Sequence, residues 1–440
     1  MRLWDVTGSP PYRGLVLPRE VAEGSTLAFS PDGKWLASKS WTGSPRLWRV
    51  PALPTDRREM ELRTWLALGV RRDTQGKDTP IPAEEWLGLR DWQRRLEAAG
   101  SPEQYRTTID AYSQAMEAQA HARQERWKKA AEAYSKAIEL MPDVWHLWRD
   151  RGHAYRDLNQ PKNAATDYTR AIALRPNDWW LWADRGDVYL GLEQYEKAIA
   201  DFTRAIELKH DAPHAWRRRG DACAQLGRWD AASTSYSWAV ALEPDNAFFW
   251  YSYALASLGA GDVEGYRQRC AAMVKRFSQT KDPDAAHWVA WTCVLAPRAV
   301  ADLAKAVRLA EQAVSSKPDE DAYVGTLGAV LYRAGRFDDA IQRLEGLSAG
   351  WEKAGKTPTR TSPAYAWFLL AMAHHRLGHA DEARAYLERA VKRTEEELGA
   401  KPPASWNRRL TLRLLRREAE ALLAVTTRPA GQETATPSAP

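Results

Sequence analysis

Apolar side chains recur along the middle of the chain at a constant interval of 34 residues. Spacings of four and seven residues place side chains on one face of an α-helix. In each segment a small residue follows a tryptophan after four positions, and in the first two a tyrosine follows after seven. Each segment is therefore predicted to begin with a helix that buries this face. The tryptophans are Trp148, Trp182, Trp216 and Trp250, the small residues are Gly152, Gly186, Gly220 and Ala254, and the tyrosines are Tyr155 and Tyr189.

A second apolar pattern follows each of these predicted helices. Alanine, an aromatic residue and alanine recur at positions i, i+4 and i+7, as in Ala198, Phe202 and Ala205. This spacing marks one buried stripe of a second helix, and proline after the stripe prevents the helix from continuing. Each repeat is therefore predicted to be two antiparallel helices, with the glycine allowing close approach and the tryptophan packed beside the second helix. The closing residues are Pro142, Pro176, His210 and Pro244.

Residues 111–262 resemble tetratricopeptide repeats. They carry the pattern W-x-x-R-G-x-x-Y, and Leu192 to Leu208 (LEQYEKAIADFTRAIEL) is similar to the family consensus. The resemblance implies a mainly α-helical solenoid of about eight helix-pair repeats, some of them degenerate. Residues 105–280 are expected to hold repeats 1–5, and residues 281–425 degenerate repeats 6–8 with a capping helix. The expected repeat core is Trp148, Gly152, Tyr155, Trp182, Gly186, Tyr189, Trp216, Gly220 and Trp250.

The last predicted helix, WNRRLTLRLLRREAEALL, has the features of a cap. Trp406, Leu410 and Leu414 share one face, and the opposite face is basic. The terminal repeats of a solenoid need such a polar outer face. Between repeats seven and eight, the stretch SAGWEKAGKTPTRTSP (348–363) is rich in Gly, Ser, Thr and Pro and is predicted to be a loop. Residues 426–440 are predicted to be a disordered tail. The basic residues are Arg409, Arg413 and Arg416.

Residues 1–50 follow a different pattern. The strand-like runs TLAFS, WLASKS and RLWRV surround the turn signal PDGK. They resemble one WD40 repeat, with Arg49 in place of the usual aspartate after Trp48, and RLWDV (Arg2 to Val6) resembles the closing strand of a preceding repeat. A propeller needs roughly four to eight blades, so this blade is incomplete. A start codon placed too late or a fragment of a longer ancestor is favoured over strands that dock on the helices.

Residues 51–104 are predicted to be a helical adaptor that covers the first repeat. MELRTWLALGVRR (60–72) is helix-like, and DTQGKDTPIP (73–82) is predicted to be a loop. AEEWLGLRDWQRRLEAAG (83–100) is amphipathic, with one apolar stripe. The stripe consists of Trp86, Leu89, Trp92 and Leu96. The order of segments resembles the C-terminal part of bacterial proteins that join WD40 propellers to tetratricopeptide arrays, often behind a Ser/Thr protein kinase domain.

GWEKAGKT, from Gly350 to Thr357, matches the phosphate-binding pattern G-x-x-x-x-G-K-[ST]. A phosphate loop follows a buried strand and opens a helix. Here the match follows the predicted helix DDAIQRLEGL and precedes Pro358 and Pro363. The match is interpreted as accidental, and no cofactor is expected. An ATPase that uses Lys356 is a less favoured alternative.

Composition narrows the class of partner. The net charge is +6 over 440 residues, without the clustered basic face that nucleic-acid binding needs. The longest apolar run, HWVAWTCVLA, is about half of the roughly 20 residues that a membrane span requires. Neither nucleic acid nor membrane is an expected partner. The three cysteines form no C-x-x-C pair, so reduced thiols and a cytoplasmic location are expected. They are Cys223, Cys270 and Cys293.

Catalytic motifs and metal-ligand clusters are not found in the sequence. Hydrolase, zincin, dinucleotide-binding and kinase signatures are missing. His375 and His379 are four residues apart, but Gly378 between them ends the predicted helix. His210 and His214 flank a turn with Pro213. Zinc needs three or four ligands, so no metal and no catalytic residue is predicted.

The tetratricopeptide resemblance implies a concave groove lined by the first helices. Its mixed charges favour a peptide carrying both signs, and the alternative is a solvated surface without a dedicated ligand. The carboxylate clamp of the family does not fit, because the paired asparagines are missing. The groove residues are expected to be His146, Arg149, Asp150, His153, Trp180, Ala183, Asp184, Asp187, His214, Arg217, Arg218 and Asp221.

The sequence thus predicts a non-enzymatic scaffold that binds a peptide or protein segment in this groove. The alternative is the regulatory C-terminal part of a Ser/Thr protein kinase that carries WD40 and tetratricopeptide repeats. In that case a kinase or a WD40 propeller would lie upstream in the same polypeptide.

Overall fold

The computed structural model describes residues 101–355 and 361–424, parts of 91–99, and the backbone of seven short strands between residues 2 and 80. The chain divides into two compact units, residues 1–176 and 177–440. The boundary falls inside the segment expected to hold repeats 1–5. The predicted tail, 426–440, and the Lys356 of the phosphate-loop match lie outside the described residues.

The strands of the first unit form small antiparallel arrangements. Strands β1 and β2 pair, β3, β4 and β5 form a three-stranded sheet, and β6 pairs with β7. The last pair corrects the adaptor prediction, because the end of the expected helix and part of the expected loop form a hairpin in which Arg71 lies opposite Thr79. The WD40 resemblance of residues 1–50 stays a prediction. The strands are Arg2–Trp4, Arg13–Val16, Thr26–Phe29, Trp35–Lys39, Arg46–Arg49, Val70–Arg72 and Asp78–Pro80.

The described residues hold seventeen complete helices, which form eight consecutive pairs and one final helix. This agrees with the prediction of about eight helix pairs. The first unit contains two pairs: α1 (Pro102–Arg123), α2 (Trp127–Leu140), α3 (Trp145–Asp157) and α4 (Pro161–Leu174).

The second unit contains six pairs and the final helix α17. In each pair the odd-numbered helix comes first, and we call these the first helices. The bounds are α5 Trp179–Gly191, α6 Tyr195–Leu208, α7 Pro213–Gln225, α8 Trp229–Leu242, α9 Ala247–Gly259, α10 Val263–Arg276, α11 Pro283–Thr292, α12 Ala304–Ser316, α13 Asp321–Arg333, α14 Phe337–Ala354, α15 Pro363–Arg376, α16 Ala380–Gly399 and α17 Trp406–Ala424.

The glycines permit the close approach of the two helices in a pair, as predicted. A Cβ atom on Gly220 would lie 2.6 Å from the ring of Tyr236, and one on Gly152 would lie 3.0 Å from the ring of Tyr168. Both rings are fully buried. Because real Cβ atoms rarely come this close to a ring, a larger side chain at either glycine would push the second helix away.

The repeat tryptophans are less buried than the sequence suggested. Trp216 is buried, whereas Trp148, Trp182 and Trp250 are half-buried. Three of the indoles donate a hydrogen bond to the carbonyl oxygen six residues earlier: Trp148 to Pro142 at 2.8 Å, Trp216 to His210 at 2.8 Å and Trp250 to Pro244 at 2.9 Å. An indole N–H needs an acceptor. These indoles therefore stabilise the turn before the helix by a hydrogen bond, in addition to packing against their neighbours.

A charged pair joins the two helices of some repeats. Arg151 binds Asp167 through two hydrogen bonds of 2.7 and 2.8 Å, and Arg185 binds Asp201 in the same way at 2.8 Å. In the next repeat the corresponding arginine meets a serine instead. Arg219 donates to the hydroxyl of Ser235 at 3.1 Å, and burial lowers its pKa.

Replacing Ser235 by aspartate is expected to raise the free energy of unfolding by about 1 kcal/mol, because it gives the half-buried Arg219 a charged hydrogen-bond acceptor. Urea denaturation would measure the change. Thr234→Asp is the matched control, since Thr234 is exposed on the same helix, and we expect it to change stability little. A less stable Ser235→Asp protein would contradict this role of the arginine.

The stretch predicted to be a loop between repeats seven and eight is helical over its first half. Helix α14 continues to Ala354 and ends at Gly355, whose φ of 59° is left-handed. The indole of Trp351 donates to Asp321 of α13 at 2.8 Å. This contact holds the last turns of α14 against the preceding helix.

Candidate functional site

Two of the groove residues predicted in the first unit are buried, which corrects their assignment to an open surface. His146 and Arg149 are 4% and 7% exposed. The cause is the segment before the repeats, where the buried side chain of Trp92 packs edge-on against His146 with ring centroids 5.4 Å apart. Arg149 forms an ion pair with Asp150 at 2.7 Å. These side chains are covered or paired by the chain itself.

Burial makes His146 a neutral residue. Loss of solvent lowers its pKa to about 4, and the nearby Asp150 only partly opposes this effect. Among the described residues neither ring nitrogen has a hydrogen-bond partner. His153, the remaining predicted groove residue of this unit, is half-buried with its ring edge-on to Tyr168 at 5.6 Å. The groove residues predicted in this unit are thus mostly covered by the chain itself and do not form an open surface.

The predicted groove residues of the second unit remain accessible and form a network of charges. His214 is exposed, while Trp180, Ala183 and Asp184 are half-buried. Asp187 on α5 accepts a hydrogen bond of 2.6 Å from Arg218 on α7, and burial raises the pKa of Asp187 even though the arginine opposes this effect. Acidic side chains of α5 thus meet both basic and acidic side chains of α7 on this surface.

Arg217 and Asp221 extend the network along α7. Their side chains are joined at 2.6 Å, and Arg218 lies 3.8 Å from the same carboxylate. Asp221 also accepts the hydroxyl of Tyr236 at 2.8 Å and the indole N–H of Trp406 at 3.2 Å. Trp406 is the first residue of α17, so the network ends where α17 begins.

Helix α17 lies along the first helices of the second unit instead of capping the array only at its end. Arg409 reaches the carbonyl of Gln225 on α7 at 3.4 Å, and Asn407 reaches the hydroxyl of Tyr251 on α9 at 3.5 Å. Near its other end the helix contacts α13. The first helices thus accommodate an amphipathic segment of 19 residues. We call the surface that α17 covers the inner face.

The buried stripe of α17 differs from the predicted one. Trp406 is buried as expected, but Leu410 and Leu414 are only half-buried and Arg409 is half-buried instead of exposed. A different side of the helix is buried than predicted because α17 packs against several first helices and not against a single neighbouring helix. The buried residues that follow Trp406 are Thr411, Leu412, Leu415, Ala419 and Leu423.

An ion pair of low exposure fixes α17 to α13. The side chains of Arg333 and Glu418 are 6% and 20% exposed, and they form two parallel hydrogen bonds, one of 2.7 Å. Arg333 also donates twice to the carbonyl of Val294, at 2.9 and 2.7 Å. Burial acts to lower the pKa of Arg333, but the hydrogen bond and charge of Glu418 raise it overall. The guanidinium is therefore charged and almost fully satisfied.

A cavity of about 140 Å³ lies beside the start of α17, among α9, α11, α13, α14 and α15. Six of its lining side chains are aromatic, Asp321 is the acidic residue and Arg408 is the basic one. Sequence reasoning missed this cavity, since its residues come from six helices spread along the chain from α9 to α17. The aromatic residues are Tyr251, His287, Trp288, Trp291, Trp351 and Tyr365.

The described part of the phosphate-loop match is helical. Gly350 to Ala354 form the last turns of α14 instead of a strand and loop. No group of three or more His, Cys, Asp or Glu side chains within the described part of the chain is arranged for a metal ion. His379 contacts His374, at 3.2 Å between the Nδ1 atoms, instead of His375. Among the described helices none is long and apolar enough to cross a membrane.

The paired helices and their 34-residue register define a helical-repeat protein. Models of the tetratricopeptide repeat match residues 118–178, 183–233, 213–258 and 319–396. The chain therefore carries tetratricopeptide repeats over these residues, as its sequence implied. All four models describe this repeat, so the WD40 segment and the kinase association stay predictions.

Several solved structures are similar to this chain. A tetratricopeptide repeat protein from Parabacteroides merdae is 13% identical, covering 72% of this chain and 99% of its own, with a TM-score of 0.41. MamA from Desulfovibrio magneticus is 16% identical, covering 39% and 98%, with a TM-score of 0.36. YrrB, described as having an unusual peptide-binding site, is 19% identical, covering 44% and 97%, with a TM-score of 0.33. No curated protein matches the chain.

Proposed function

We propose that this protein is a non-enzymatic scaffold whose second unit binds a segment of a partner protein on the first helices. The observation that carries the proposal is α17. The inner face holds this amphipathic helix through buried leucines and the Arg333–Glu418 pair. A surface that accommodates one segment in this way has the shape and chemistry to bind another beside it.

The partner segment is expected to bind next to α17, on α5 and α7. The half-buried Asp184 and Asp187, the exposed His214 and the arginines of α7 lie there. Their charges suit a segment with basic and acidic side chains. Complementary charges of this kind select the partner and its register more than they increase affinity.

Exchanging the charges of one pair tests the site. In the double variant Asp187→Arg with Arg218→Asp, the ion pair can form again but the charge pattern is reversed. We expect capture of partner segments, quantified by pulldown and mass spectrometry with the whole chain as bait, to fall about tenfold, while the melting temperature changes little.

The control exchanges another pair of the same unit. Arg228 and Glu196 form an exposed pair at 3.2 Å outside this network, and Arg228→Glu with Glu196→Arg should leave capture unchanged. If both double variants capture as much partner as the unsubstituted protein does, the assignment of the site to α5 and α7 is wrong. A partner lost from both would point to a general effect of surface charge.

A further inference from the structure

The cavity beside the start of α17 combines aromatic rings with a carboxylate. The faces of aromatic rings carry negative potential, and a carboxylate adds to it, which is the chemistry that recognises ammonium and guanidinium groups. We propose that this cavity binds an organic cation, presented as a lysine or arginine side chain by the partner segment. The proposal rests on the proposed function for the source of the cation, but the chemistry of the cavity stands on its own lining.

The rings surround the cavity from different helices. Tyr251 on α9 and Trp288 on α11 form one inclined pair, with centroids 4.7 Å apart and planes at 34°. Trp291 on α11 and Tyr365 on α15 form a second, at 5.4 Å and 37°. A volume of about 140 Å³ is close to the roughly 150 Å³ that accommodates benzene in an engineered cavity. A guanidinium or methylated ammonium group is of similar or smaller size.

Asp321 supplies the negative charge in a fixed position. Its Oδ2 atom accepts the indole N–H of Trp351 at 2.8 Å, and among the described residues its Oδ1 atom accepts no hydrogen bond. Asp321 is the first residue of α13, at the positive end of the helix dipole. The hydrogen bond to Oδ2 therefore orients the carboxylate, and Oδ1 is left to accept a hydrogen bond from the ligand.

Arg408 is the basic residue in the lining. It belongs to α17, and its carbonyl oxygen accepts the hydroxyl of Tyr365 at 3.5 Å. Its positive charge opposes the entry of a second cation. Removing that charge should therefore strengthen cation binding, an outcome that loss of packing alone would not produce.

Titration calorimetry on the whole chain tests the cavity without a partner protein. The probes are choline, N-acetyl-lysine amide, N-acetyl-arginine amide and dimethylbutanol, which has the shape of choline without its charge. We expect the three cations to bind with dissociation constants on the order of 1 mM. Dimethylbutanol should bind at least about tenfold more weakly, because it has no charge to interact with the rings and carboxylate.

Three variants assign the binding to named groups. Asp321→Asn keeps an acceptor for Trp351 but removes the charge, and should weaken cation binding about tenfold. Trp288→Leu removes one aromatic face and should weaken it severalfold. Arg408→Ala should strengthen it about threefold. Asp319→Asn, at an exposed position two residues before Asp321, is the control and should have no effect.

Equal binding of choline and dimethylbutanol would overturn the proposal in favour of a neutral ligand. Unchanged binding by a folded Asp321→Asn protein would overturn it as well. Binding of choline but of neither blocked amino acid would reject the side-chain source. A partner that Asp321→Asn still captures, but that the Asp187 and Arg218 exchange loses, would reject the cavity and keep the proposed function.

Discussion

Replacing Glu418 by alanine is expected to lower the free energy of unfolding by about 3 kcal/mol. Removing one member of a buried ion pair leaves the other charge without compensation, at a typical cost of 3–5 kcal/mol. Arg333 is 6% exposed and would keep only its hydrogen bonds to the carbonyl of Val294. Because Glu418 itself is 20% exposed, water can replace part of the lost interaction, so the lower end of the range applies.

Urea denaturation of the whole chain would measure this change, and Glu420→Ala is the matched control. Glu420 lies on the same helix and pairs with Arg416 at 2.7 Å, but both side chains are substantially exposed. Exposed pairs contribute about 0–1 kcal/mol. Similar losses for the two variants would mean that the Arg333 pair does not anchor α17. Arg333→Met with Glu418→Leu should restore much of the stability, since apolar replacement of a whole buried pair is often tolerated.

The repeat architecture was predictable because the same residue types recur at a fixed interval of 34 residues. Gly152, Gly186 and Gly220 allow the close helix contacts that their spacing predicted, and proline follows the ends of α2, α4 and α8. Such local patterns determine helix ends and buried stripes with little help from the rest of the chain. Residues 281–425, where the apolar pattern is less regular, were expected to hold three further repeats, and α11 to α16 lie there.

The site was less predictable because it depends on contacts between distant segments. His146 occupies a groove position by spacing, but Trp92 covers it from a segment more than fifty residues away. The face of α17 was assigned from its own residues, whereas the first helices of four repeats decide which side is buried. The indole hydrogen bonds and the Asp321 cavity likewise require three-dimensional positions that no single periodicity contains.

Under the proposed function, the inner face limits the surface that is left for a partner. Helix α17 covers part of the surface of the first helices. The part that remains accessible, on α5 and α7, is smaller than a groove along every repeat would be. Weakening α17 through Glu418→Ala would expose more apolar surface and lower the selectivity for charge. Under the proposed function, the stability of the second unit and its selectivity for a partner would therefore both depend on α17.

Acidification from pH 7.5 to pH 5 is expected to destabilise each unit through one buried histidine. Burial lowers the pKa of His146 in the first unit and of His287 in the second to about 4, from an unfolded value near 6.5. The unfolded chain therefore binds the proton first, and stability is lost as the pH falls from about 6.5 towards 4. Linkage gives a loss of about 2 kcal/mol per histidine at pH 5.

The surroundings of both histidines are consistent with a lowered pKa. Near His146 the carboxylates of Asp91 and Asp150 favour protonation and the arginines Arg95 and Arg149 oppose it, so burial decides the shift. His287 is hydrogen-bonded to Thr326 through Nδ1 at 2.9 Å, and Asp284 only partly offsets its burial.

Urea denaturation between pH 7.5 and pH 5, with amide exchange in α3 and α11 to report on each unit, would measure the loss. His146→Phe keeps a ring against Trp92 but cannot be protonated, so the pH dependence of the first unit should decrease by about 2 kcal/mol. His287→Gln should do the same for the second unit. His214→Gln, at an exposed position, is the control. If His146→Phe and the unsubstituted protein lose equal stability on acidification, His146 does not cause the acid sensitivity of the first unit.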